Sequence, residues 1–145
     1  MRKHQLLWIA ALMALCLIAR ADDTQWDFLQ FGFGPNFPDS QDSVAVYGAR
    51  VGLPVSGGKA AVNGIEFAVA GALSDQVNGV QLGALMSIAD EVNGVQISVY
   101  NQTNEGTGIQ IGAVNVAKDK GFQFGIVNYI EGSCLPWMIL CNFKF

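Results

Sequence analysis

The residues able to do chemistry in this chain are few, and their spacing argues against catalysis. Acids recur at Asp75, Asp90, Glu91, Glu105 and Asp119, and others sit at Asp22, Asp23, Asp39 and Asp42. Carboxylates can hold a divalent cation, but none of these runs has the alternation of a calcium-binding loop. Between apolar segments, Asp and Asn serve turn geometry, which is the simpler reading. Gly57-Gly58-Lys59 lacks the rest of a phosphate loop. The one histidine, His4, falls in a segment expected to be removed, which excludes Ser-His or Cys-His catalysis and histidine-based zinc sites. No catalytic residue, metal ligand or cofactor is therefore assigned, and the chain is not expected to be an enzyme. Eight Lys and Arg residues are too few for a partner held by phosphate contacts, so nucleic acid is excluded as well.

Arg2, Lys3 and His4 precede an uncharged run from Leu6 to Ile18, and Ala19-Arg20-Ala21 follows. This order is that of a secretory signal peptide spanning residues 1–21. The run is short for a membrane-spanning helix, which needs about 20 residues. Residues 22–145 are then one exported domain of 124 residues, with five basic and twelve acidic side chains and a net charge of −7. Export permits a disulfide between Cys134 and Cys141. On one extended strand they would lie roughly 20 Å apart, beyond bridging distance, so two free thiols are expected.

The regular polar feature is a column of glutamines, and a repeat places it. Asn63-Gly-Ile-Glu-Phe-Ala, Asn78-Gly-Val-Gln-Leu-Gly, Asn93-Gly-Val-Gln-Ile-Ser, Thr107-Gly-Ile-Gln-Ile-Gly and Lys120-Gly-Phe-Gln-Phe-Gly are five copies of one pattern, at spacings of 15, 15, 14 and 13 residues. Each alternates with period two, the signature of a strand. Gln81, Gln96, Gln110 and Gln123 share one face with glycine and serine, while Val, Ile, Leu and Phe hold the other. Trp26–Gly34, Val44–Val55 and Pro136–Phe145 read as three further strands, giving eight.

Which way the apolar face points decides the class of function. The main expectation is an all-β fold, an antiparallel meander of about eight strands closed as a small barrel in an outer membrane, apolar side outward. Gln, Gly and Ser would fill its lumen, so it would not conduct. Arg50 and Glu66 would meet there as an interior pair, since buried charges need partners. Phe143 and Phe145 would end an alternating last strand like that of barrels delivered to the barrel assembly machinery. Trp26, Tyr47, Tyr100, Tyr129 and Trp137 would form an aromatic girdle. The alternative is a soluble β-repeat or solenoid, secreted or periplasmic, with the apolar face as core and the glutamines outside, able to pair with a glycan or protein. The apolar band, roughly 15 Å tall against roughly 25 Å for a typical barrel, favours this alternative.

Gly48-Ala-Arg-Val-Gly-Leu-Pro54, Asn63-Gly-Ile-Glu-Phe, the Gly-x-Gln-x-Gly copies with Asn115 and Asn128, and the Pro136–Phe145 ending resemble the leptospiral-type bacterial surface-repeat proteins over residues 44–145. The resemblance implies a place at the outer membrane or cell surface of a Gram-negative-type bacterium and no chemistry. Some relatives look like lipoproteins, and Leu15 before Cys16 departs from that pattern.

Overall fold

Each repeat copy is one coil of a parallel β-solenoid of about seven turns, in a computed structural model that describes residues 26–35 and 37–145. The expected signal peptide lies outside the described residues. Among the described residues eleven strands form: β1 (Trp26–Gly32), β2 (Ala45–Gly52), β3 (Val55–Gly58), β4 (Val62–Ala68), β5 (Gly71–Gly83), β6 (Met86–Ile97), β7 (Tyr100–Glu105), β8 (Thr107–Ile111), β9 (Val114–Ala117), β10 (Lys120–Ile130) and β11 (Trp137–Lys144). A four-residue helix, α1 (Ser40–Ser43), lies between β1 and β2.

The expected antiparallel eight-strand barrel is overturned, and with it the transmembrane strands. Strands β1 to β10 pair in parallel, and only β11 runs antiparallel, against β10. The physical reason is the repeat itself. Parallel in-register stacking sets Gly79 on Gly64 and Gly94, and Gln81 on Gln96. Like then meets like at every level, which side-chain amide ladders require. The strand count fails for a local reason. A copy is two strands, because the chain turns at Ala84-Leu85, Val99 and Ala113. Each of these corners sets an apolar residue after a small one: Ala84-Leu85, Ser98-Val99 and Gly112-Ala113.

Two flat walls result. Face A carries β1, β2, β4, the second halves of β5 and β6, β8 and the first half of β10. Face B carries β3, the first halves of β5 and β6, β7, β9 and the end of β10. Strand β11 closes the last coil across both faces. At the other end α1 sets Gln41 over the first coil. Its side chain is buried, accepts from the Gly57 amide at 3.0 Å and donates to the Phe37 carbonyl.

Successive coils stack so closely on face A that glycine is obligatory at one position of the copy. Gly79 has φ +142° and Gly94 +152°, and a Cβ on Gly94 would fall 1.9 Å from the Gly79 carbonyl oxygen. Only glycine combines that dihedral with that approach. Between the walls, no aromatic side chain is buried among the described residues. The buried apolar residues are Val46, Val62, Val77, Val92, Ile130 and four alanines. The remaining interior is polar.

Candidate functional site

The interior is a hydrogen-bonded spine. Gln30, Arg50, Glu66, Gln81, Gln96, Gln110, Gln123 and Asn142 occupy one register column on face A and are all buried. Gln81 donates to Glu66 at 2.9 Å, Gln96 to Gln81 at 2.8 Å, Gln110 to Gln96 at 2.8 Å and Gln123 to Gln110 at 2.7 Å. A neutral hydrogen bond contributes about 1 kcal/mol net, but a buried amide left without one costs more, so the column holds as a unit. Face B has a shorter ladder, Asn101 to Asn115 to Asn128, each bond 2.8 Å. Thr103 joins the walls by donating to Gln96 Oε1 at 2.7 Å.

The structure brings Arg50 and Glu66 together on neighbouring strands at 3.8 Å, with both side chains fully buried. Ser74 bridges them, accepting from Arg50 at 3.3 Å and donating to Glu66 at 2.7 Å, and Ser56 donates to the same Glu66 oxygen at 2.6 Å. Arg50 also donates to Gln30 at 2.7 Å. Burial pushes the guanidinium below its ordinary pKa, while Glu66 and then Asp42 oppose that shift. Both side chains are out of contact with solvent, so the pair serves structure. The direction of the four glutamines corrects the alternative reading, in which they faced water. Among the described residues the coil interior holds Gly, Ser, Ala, Val, Ile130 and the stacked amides of two ladders, and no aromatic side chain.

The apolar residues are therefore outside. Two ladders run the length of face A. One is Phe31, Val51, Phe67, Leu82, Ile97, Ile111, Phe124 and Cys141. The other is Leu29, Ala49, Ile65, Val80, Val95, Ile109, Phe122 and Phe143. Ile97 is 40% exposed. The corner from face A to face B adds Leu85 at 61%, Val99 at 54% and Ile126 at 67%. Face B continues with Leu73, Ile88, Gln102, Val116, Tyr129 and Trp137 in one ladder.

Charge is segregated from all of this. Between residues 62 and 130 the charged side chains are Glu66, which is buried, and Asp75, Asp90, Glu91, Glu105, Lys118, Asp119 and Lys120. The last seven all occupy the corner where the chain passes from face B back to face A. Polar neighbours tie that acidic corner together: Asn104 donates to Asp90 at 2.6 Å and Gln76 to Glu91 at 3.1 Å. Among the described residues no cluster of three or more His, Cys, Asp or Glu has metal-site geometry.

Phe143 and Phe145 do not end a barrel. Phe143 stacks on Phe122 with centroids 6.3 Å apart, Phe145 packs on Phe143, and both extend face A. A groove of about 760 Å³ lies there, lined among others by Val95, Ile109, Phe122, Lys120, Lys144 and Phe145. Cys134 and Cys141 are both free. Sequence reasoning missed the apolar corner, whose only signal is an unpaired Val or Leu recurring between the copies. Comparison with family models, curated proteins and solved structures finds no match to this chain.

Proposed function

We propose that the chain is an exported β-solenoid binding module that acts through its surface and carries out no reaction. One observation carries the reading: two outer walls and one corner are apolar and exposed, and between residues 62 and 130 the exposed charge is confined to the opposite corner. Single exposed apolar residues are ordinary, but a continuous patch of this length marks an interaction surface. The spine supports the same reading, because a rigid interior holds the outer ladders flat and in register. The likeness of the repeat to leptospiral-type surface-repeat proteins points toward the cell envelope.

A photoreactive residue tests this in the exporting cell. Placed at position 97 on face A, it should form adducts with lipid, glycan or protein, and at position 90 it should give background only. Adducts from position 90 and none from position 97 would move the working surface to the acidic corner and overturn the proposal.

A further inference from the structure

We infer that this surface docks into a single leaflet of a lipid bilayer, apolar corner deepest and acidic corner among the headgroups. The inference rests on the binding-module reading and names its partner. Four observations support it. The first is extent. A second copy laid flat on face A would cover one wall and leave Leu85, Val99, Ile126 and the ladder of face B in water. A fluid apolar phase covers all three.

The second is depth. From Ile65, the first outward apolar residue beyond the Asn63–Asn78–Asn93 row, to Val69 at the corner is five residues. At about 3.3 Å per residue this is roughly 15 Å, half of the roughly 30 Å hydrocarbon core. The third is the placement of aromatic rings. Tyr47 shares the Asn63 row at the polar boundary and packs edge-on against Trp26 at 6.3 Å, and Tyr129 packs on Trp137 at 4.6 Å beside Glu131. Trp and Tyr concentrate at that depth in membranes. The fourth is the backbone. Coil-to-coil hydrogen bonds run along the solenoid axis, so the walls between the two ends offer side chains only, as an apolar solvent demands of a surface that it covers.

The acidic corner also selects the lipid. Asp75, Asp90, Glu91, Glu105 and Asp119 outnumber Lys59, Lys118 and Lys120 there, and this net negative charge complements ammonium headgroups and repels anionic ones. Flotation of the full chain with phosphatidylcholine–phosphatidylethanolamine vesicles tests the inference. The chain should float, and added phosphatidylglycerol should weaken binding several-fold at low salt. Val99→Lys and Leu85→Lys, at exposed positions where the fold tolerates change, should weaken binding at least tenfold, and Asp90→Asn should not. A chain that stays with the dense fraction as a dimer, broken by Ile97→Lys but not by Val99→Lys, would overturn the inference and leave the module reading intact. A monomer indifferent to vesicles would also overturn it, and joined to a silent position 97 in cells would sink both.

Discussion

Gln96 and Ile97 are adjacent in sequence and live in opposite surroundings, with the amide fully buried and the hydrocarbon half in water. The same inversion holds along the whole solenoid, with the glutamine spine inside and the Val, Ile and Phe ladders outside. Hydrophobicity alone would order them the other way. The difference teaches that in a coil this thin, space and hydrogen-bond stacking choose the inner residues. The apolar residues that do not fit become the working surface.

Breaking the inner side should be costly. Gly94→Ala sets a methyl against the Gly79 carbonyl at a dihedral that alanine avoids, a loss on the order of 3–5 kcal/mol that thermal melting should register as failure to fold. Gly108→Ala should cost much less, because its Cβ would lie 3.0 Å from the Gly94 oxygen, a tight contact that a small shift relieves. Next comes the ion pair. Arg50→Met leaves Glu66 buried and uncompensated and should cost about 3–5 kcal/mol in urea unfolding, while adding Glu66→Gln should recover part of it. Equal losses in the single and double variants would remove the pair from the account.

Position along the spine should then matter. Gln96→Leu deletes four bonds of the side chain, to Gln81, Gln110, Thr103 and the Gln102 carbonyl, and should cost about 2–3 kcal/mol. Gln123→Leu, at the end of the ladder with Oε1 already unpartnered, should cost less by the same assay. The outer side should give the smallest effects. Ile97→Thr should shift stability by less than about 0.5 kcal/mol. Leu140, at φ +71° on the last strand, should gain about 1 kcal/mol on change to glycine.

Much of this was legible in the sequence, and the orientation was not. Five Gly-apolar-Gln copies reveal strands, a common register and one column shared by Arg50, Glu66 and the four glutamines. Period two separates two faces but is silent on which is inside, and each reading joined one right half to one wrong half: the barrel had the wrong architecture, the solenoid the right one. The barrel set the glutamines inside an antiparallel fold. The solenoid reading put them outside. Parallel stacking shows only in the fact that the copies match residue for residue. The apolar surface was hidden because the corners at Leu85 and Val99 read as a continuation of the strands. Counting Ala84, Met86 and Ile88 onto the face of Val80 and Leu82 passes through the corner unseen.

Thiol accessibility on neighbouring residues tests the central claim most directly. In a background with Cys134→Ser and Cys141→Ser, Gln96→Cys and Ile97→Cys are compared in the purified, folded chain with a small charged thiol reagent. The inverted coil predicts rapid labelling at position 97 and protection at position 96 until the chain is unfolded. Protection at 97 with rapid labelling at 96 would place the apolar face inside and contradict the account.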